Sequence, residues 1–252
     1  MTITKLAVCL LLLVATALPC RAASPTPEQI IDAFFGPSGI ADKPAYYTGE
    51  MKALHSNDPT LGEGFVPGIG FTWRRLPLSP DGEPVYAVTI RHGDELFDWY
   101  AYFGLDNGSL KLRAVRTLGL SGIPYELMKM LAQRRVRTDQ QEWDYQNLRL
   151  AFLPDPERLA HLRNQLGELD ALRAAIDARD DEAVKRRLRG LYLRGWEHNE
   201  RGQIEIWIGG GLMNSVVGLL YVPPGESPPP IDETDHIYIE QVAGPWYVYK
   251  TT

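Results

Sequence analysis

Apolar and polar positions alternate in two runs within Gln203 to Val222. Ile204, Ile206 and Ile208 point one way in the first run, and Val217, Leu219 and Tyr221 share a face in the second. This period of two predicts a pair of antiparallel strands. Gly209, Gly210 and Gly211 lie between the runs and are expected to form the turn, since glycine adopts the backbone angles a tight hairpin needs. Further strands are expected at His236 to Gln241 and Trp246 to Lys250, which would complete an antiparallel meander.

The same alternation recurs nearer the start of the chain. Strands are expected at Tyr46 to Leu54, Phe71 to Leu76, Pro84 to His92, Glu95 to Phe103 and Leu110 to Thr117. Gly93-Asp94 joins the third to the fourth, and Asn107-Gly108 marks a hairpin before the fifth. Phe97, Trp99, Ala101 and Phe103 fall on one face of their strand, with Asp98, Tyr100 and Tyr102 on the other. The first face reads as buried and the second as amphipathic.

Helical spacing appears elsewhere. Thr26-Pro27-Glu28-Gln29 combines a hydroxyl N-cap, proline at the first helical position and a capping-box glutamine, and Gly36-Pro37 stops the short helix, which would pack as a lid on the first sheet. Ile123-Pro124 opens a second helix with Leu127, Met128 and Leu131 on one side. Thr138 and Gln141 could cap a third, although Asn147 to Leu153 also alternates like a strand. From Asp155-Pro156, the residues Leu159, Leu162, Leu166, Leu169, Leu172 and Ile176 form one continuous stripe, the pattern of a single long helix of about five turns. Asp180 or Asp181 begins another, so the two should form a hairpin that buries its stripe on the C-terminal sheet.

The elements therefore predict an α+β protein, with antiparallel sheets packed against helices. The division expected is a leader at 1–22, an N-terminal α+β lobe at 23–120 and a C-terminal lobe at 121–252. In element order the C-terminal lobe, a helical hairpin before a curved antiparallel sheet, is similar to the cone of cystatins and of nuclear-transport-factor-like proteins.

The first 22 residues stand apart from this pattern. Lys5 precedes an apolar run from Leu6 to Leu18, followed by Cys20 and Ala22 at small-residue positions. That is the layout of a cleaved secretory signal, and it places the mature protein in the periplasm or outside the cell. Cleavage after Ala22 removes both cysteines, Cys9 and Cys20, so stability must rest on packing alone. It also removes Lys5 and Arg21, leaving 24 basic residues against 32 acidic ones and moving the net charge from -6 to -8. A chain this acidic repels phosphate backbones, which argues against nucleic acid as a partner. Nothing after residue 23 has the length of apolar sequence that a membrane span requires.

Few residues suggest chemistry. None of His55, His92, His161, His198 and His236 has metal-ligand spacing. No Gly-x-Ser-x-Gly elbow is present, and the glycine run lacks the Lys and Ser/Thr of a phosphate cradle. Asp232, Asp235 and His236 offer hard ligands and an imidazole, but a solvated loop before a strand accounts for them as well. Trp73, Arg74 and Arg75 form the better candidate binding surface, because indole and guanidinium groups dominate protein contacts and can grip a carboxylate or a sugar. Against this, alternation puts Phe71 and Trp73 on one side of a strand, where they would be core.

With no placed nucleophile, metal set or cofactor motif, the reading is a cofactor-free binding protein, of inhibitor or immunity type, whose partner is another protein. The alternative is an extracytoplasmic hydrolase whose carboxylates meet only in the fold; a third reading is an accessory of the cell envelope. N-terminal sequencing of the protein purified from its own host is expected to begin at Ala23, and a sequence beginning at Met1 or Thr2 would refute export by cleavage.

Overall fold

Strand β3 (Glu95–Asp106) lies between β2 (Val85–His92) and β4 (Ser109–Thr117), with β1 (Gly70–Arg75) outside β2, in an antiparallel sheet of order β1-β2-β3-β4. The structure, a computed structural model, describes residues 24–64, 69–93, 95–118, 122–134, 136–212 and 215–252. The leader expected at 1–22, Asp94 of the expected Gly93-Asp94 turn and the division expected after residue 120 lie outside the described residues. At the β3–β4 turn, Asn107 and Gly108 have φ of 52° and 77°, and Asp106 lies opposite Ser109. That is the two-residue hairpin the Asn-Gly pair implies.

Both faces of this sheet are buried in the middle. Tyr86, Val88, Ile90, Ala101 and Phe103 pack beneath helix α1 (Pro27–Phe35), which contributes Ile30, Ile31, Phe34 and Phe35. Both hydrogen bonds of the Thr26–Gln29 capping box are made, as expected. The opposite face, expected to be amphipathic, is covered too. Its Tyr100 and Tyr102 are fully buried, and with Val85, Ala87 and Ala114 they join the core of the C-terminal half.

Tyr46 to Leu54 does not form the expected strand. Two short helices, α2 (Lys43–Tyr46) and α3 (Gly49–Leu54), take its place, with Gly49 at φ 48° opening the second. The apolar residues that matter here are Tyr47 and Met51, both buried in the same core. Tyr47 stays extended, bridged to Leu112, and the positive φ of Gly49 then turns the chain into α3, which carries Met51 into that core. Helix α4 (Leu61–Gly64) completes this layer.

In the middle of the chain run α5 (Gly122–Ala132), α6 (Asp139–Phe152), α7 (Asp155–Arg163), α8 (Leu166–Asp177) and α9 (Asp181–Gly190). The capping box of Thr138 and Gln141 prevails over the strand-like alternation that follows it, and α6 is helical throughout. The long apolar stripe belongs to two helices rather than one. Asn164 and Gln165 separate α7 from α8, although Leu159, Leu162, Leu169, Leu172 and Ile176 all reach one core. The helices on either side answer to different strands: Arg163 Nε donates to the Val242 carbonyl at 2.9 Å, and Asp170 accepts from Trp246 Nε1 at 2.9 Å. Helices α8 and α9 form the expected hairpin, with the Asp180 side chain accepting from the Ala183 N–H.

The second sheet contains β5 (Gly195–His198), β6 (Ile204–Leu212), β7 (Ser215–Tyr221), β8 (His236–Ala243) and β9 (Trp246–Thr251), all antiparallel, in the order β5-β6-β7-β9-β8. Strand β9 lies between β7 and β8, where a sequential meander would put β8. The proline-rich excursion after Tyr221 makes this possible by carrying the chain past the sheet edge. It returns with Ile231 buried and the Asp232 N–H bonded to the His236 carbonyl at 3.0 Å.

The three glycines are not the turn. Gly209, Gly210 and Leu212 pair with Val217, Val216 and Ser215, so all of them are strand residues and the connection falls at 213–214, outside the described residues. Gly209 has a different purpose. A Cβ built on it would lie 2.6 Å from the Ala151 Cβ, so its missing side chain is what lets α6 rest directly on β6. Beside it, the buried Asn147 amide donates to the Ile208 carbonyl and, at 2.7 Å, to the Tyr192 carbonyl. Gly209→Val is expected to cost roughly 1–3 kcal/mol through overpacking. A urea midpoint equal to that of the parent protein would show that α6 does not sit this close.

Candidate functional site

Four charged side chains meet where the two sheets and the α6–α7 corner converge. Leu153-Pro154-Asp155-Pro156 forms the corner, with Asp155 as the first residue of α7. Proline on both sides of Asp155 fixes the backbone there and leaves the Asp155 N–H free to point outward. It donates to Asp98 Oδ2 of β3 at 3.0 Å. Arg158, one turn along α7, reaches back with Nη1 at 2.6 Å from Asp155 Oδ1. Its remaining donors satisfy the end of α6, through Nε to Leu150 O at 3.1 Å and Nη2 to Ala151 O at 2.8 Å and to Leu153 O. Those carbonyls have no partner within their own helix, so a cation at this terminus is doubly favoured.

Lys250 enters from β9, beside Tyr238 of β8 and Val217 of β7. Its ammonium lies 2.8 Å from Asp155 Oδ1, 3.2 Å from Asp98 Oδ2 and 2.6 Å from the Tyr100 hydroxyl. The Tyr100 hydroxyl in turn donates to Asp155 Oδ2 at 2.6 Å. Asp98 Oδ1 accepts from the Thr89 hydroxyl at 2.9 Å, across the β2–β3 pairing. The rings of Tyr100 and Tyr238 close over the ammonium, with centroids 5.2 and 5.5 Å away. Side-chain exposure is 3% for Lys250, 6% for Asp98 and 1% for both Asp155 and Arg158, so this is a desolvated cluster of two carboxyls and two cations.

The two carboxyls are driven apart in acidity. Burial, and after it the neighbouring Asp155 charge, raises Asp98 above the ordinary carboxyl range. Asp155 is more deeply buried, yet Lys250 and Arg158 outweigh the burial and hold it below that range. Burial together with the two carboxylates raises the Tyr100 phenol far above its usual value. The cluster thus combines one carboxyl inclined to the acid form, one fixed as a carboxylate, an amine and a phenol within contact distance. A pocket of about 170 Å³ opens onto it, with Leu96, Phe97, Leu118 and Leu153 among its walls and Asp98, Arg158 and Lys250 at its polar end.

The structure places the residues singled out from sequence elsewhere. Strand alternation divides the candidate trio. Trp73 lies on the α1 side, its indole Nε1 2.9 Å from Asp32 Oδ1 and its ring against Tyr86, and Arg75 shares that side of β1 and is exposed. Arg74 faces the other sheet and pairs with Glu240, which also accepts from the Tyr238 hydroxyl at 2.8 Å. Phe71, expected to be core with Trp73, packs against Phe35, whereas Trp73 remains 38% exposed. The acidic loop folds upon itself: Asp232 Oδ1 accepts from the Thr234 N–H, the Thr234 hydroxyl and the Asp235 N–H. Burial alone would raise Asp232, but these donors outweigh it and keep it ionised. Asp235 extends to His236 Nδ1 at 2.9 Å. No group of three metal-ligating side chains occurs among the described residues.

Asp98, Asp155, Arg158 and Lys250 carried no motif. The available signal was a lone charge in an aromatic strand, twice: Asp98 beside Phe97, Trp99 and Tyr100, and Lys250 after Trp246, Tyr247 and Tyr249. A charge on the inward face of such a strand must be paired. Compared with known proteins, the chain matches no family model, no curated protein and no solved structure.

Lys250→Met leaves two buried carboxyls without their shared cation and is expected to cost about 3–5 kcal/mol. The pH dependence has a definite sign. Folding lowers Asp155, so its contribution is complete above the ordinary Asp value of 3.8 and is lost as pH falls through the shifted one; Asp98, raised by folding, opposes this as the pH rises. Urea midpoints against pH should therefore fall less steeply on the acid side in Asp155→Asn than in the parent, and parallel acid limbs would contradict the assignment.

Proposed function

We propose that the protein is an exported, cofactor-free binding module that recognises another protein. The single observation that carries this reading is an apolar surface left uncovered around α5. Leu127 and Met130 are 39% and 46% exposed, Val136 just beyond the helix is 85% exposed, and Phe97 is 40% exposed. The 2.6 Å ion pair from Lys129 to Glu95 ties α5 to the start of β3, which brings Phe97 into the same neighbourhood. Exposed apolar side chains about one helical turn apart, as Leu127 and Met130 are, favour a protein contact. The signal-like pattern of Lys5, Leu6 to Leu18 and Ala22 supports export. No helix among the described residues is long and apolar enough to cross a membrane.

One observation favours a second reading, a hydrolase. Asp98 and Asp155 are far apart in sequence, are brought together by the fold and are shifted in opposite directions in acidity beside a pocket, which is the arrangement a general acid and its partner need. Against it, the contacts of Asp155 and Lys250 are all to neighbouring protein groups, so the cluster offers little free valence to a substrate.

The two readings part in one experiment. The mature protein, the double variant Leu127→Asp/Met130→Asp and the variant Trp73→Ala/Arg75→Ala are used as bait on the protein's own extracytoplasmic fraction. Recovery of one stoichiometric protein partner, reduced at least tenfold by the α5 variant at unchanged melting temperature, is the expected result. Loss only in the Trp73/Arg75 variant would move the contact to the β1 edge. No partner, together with turnover of an ester, peptide or glycan panel that Asp98→Asn abolishes, would overturn the binding reading in favour of the hydrolase.

A further inference from the structure

We infer that Lys250 and Asp98 are the two halves of a self-formed amide cross-link between the sheets, with Asp155 as the group that carries the protons. The reacting groups already touch: Lys250 Nζ lies 3.2 Å from Asp98 Oδ2 and 2.8 Å from Asp155 Oδ1. Their strands belong to different sheets and are 152 residues apart in the chain. Only the folded protein brings them together.

Condensation of an amine with a carboxylic acid is slow in water, because both groups are charged and solvated at neutral pH and meet rarely. This site reverses each condition. Side-chain exposures of 3% and 6% remove the solvent, and the Tyr100 and Tyr238 rings enclose the nitrogen. Burial, and after it the neighbouring Asp155 charge, favours the protonated carboxyl of Asp98, the form that an amine can attack. Fixed contact replaces diffusional encounter, the effect that gives intramolecular reactions effective molarities of about 10⁵ M and above. Asp155 Oδ1, 2.8 Å from Nζ, is the nearest carboxylate oxygen to which the ammonium can pass a proton.

The steps balance without any oxidant or co-reactant. Asp155 takes one proton from the Lys250 ammonium. The freed lone pair on Nζ forms a bond to Asp98 Cγ, and the carbonyl electron pair moves onto Oδ1, which the Thr89 hydroxyl already donates to at 2.9 Å. The tetrahedral centre then collapses, the Cγ–Oδ2 bond breaks, and the hydroxyl departs with a second proton from nitrogen as water. Of the three ammonium protons, one stays on the amide, one leaves in the water and one remains on Asp155 or passes to solvent. The 170 Å³ pocket at Asp98 and Lys250 gives the water an exit.

The full chain, purified from its host, denatured and digested with trypsin, tests this by mass spectrometry. An amide on Lys250 blocks cleavage there, so the expected product joins residues 92–111 to 202–252 with a deficit of one water. Separate release of 92–111 and 202–250 at full mass would overturn the inference, and a product joining 150–158 to 202–252 would overturn the choice of Asp98. Asp155→Asn should abolish the joined product while its circular dichroism remains that of a folded protein; cross-linking at the parent level in that variant would remove Asp155 from the mechanism. The outcome does not depend on the binding reading, since it needs no partner.

Discussion

The need to keep four buried charges paired constrains this molecule more than any other single requirement. Asp98 comes from the first sheet, Lys250 from the second, and Asp155 and Arg158 from the corner between two helices. None of the four can be withdrawn without stranding another in a medium where an unpaired charge costs several kcal/mol. An apolar contact in the same place would tolerate sliding, because the hydrophobic effect has no direction. Short hydrogen bonds with fixed donors do not, and they hold β3 of one sheet against β9 of the other.

Much of the surrounding structure follows from that fixed point. Arg158 both holds Asp155 and terminates α6, so the α6–α7 corner is locked to the site by the same side chain. Helix α6 is then pressed onto β6, where Gly209 leaves room for Ala151 and Asn147 bonds to the Ile208 and Tyr192 carbonyls. Further from the centre, Arg74 with Glu240, the Tyr102 hydroxyl on the Ile237 carbonyl, and Arg113 spanning Glu83 and Glu233 join the sheets again. The Arg74 and Arg113 ion pairs are partly exposed and each contributes far less than the centre, whereas the Tyr102 bond is buried. The inter-sheet contact is therefore polar in its fixing and aromatic in its filling, with Tyr100 and Tyr238 rings 5.2 Å apart.

A satisfied cluster of this kind has two opposite implications for chemistry. Its members have few valences to offer an incoming substrate, which weakens an enzyme reading and leaves the apolar surface around α5 as the feature calling for a partner. Yet the same desolvation and contact that make the groups unavailable to others make them reactive toward each other. Both consequences come from excluding water at a place where acid, amine and carboxylate meet.

Local physics was legible in the chain itself. The capping boxes at Thr26 and Thr138, the Asn107-Gly108 hairpin, the alternation in β2 to β4 and the stripe from Leu159 to Ile176 depend on neighbours within a few residues, and the sequence by itself determined them and the α+β class. It misled where two local signals competed or a residue's purpose lay in a distant contact. Gly209 looked like a turn but is a gap for Ala151. Tyr46 to Leu54 looked like one strand, but Gly49 turns the chain into helix two residues after Tyr47. The stripe was read as one helix, although α7 and α8 are anchored to different strands. The site was hidden for the same reason, since Asp98 and Lys250 are each an ordinary charge in an aromatic strand until the sheets close. Only the tertiary structure decided that β9 lies between β7 and β8, that the tyrosine face of β3 is buried, and that four charges share one desolvated centre, because pairing across 152 residues leaves no trace in local periodicity.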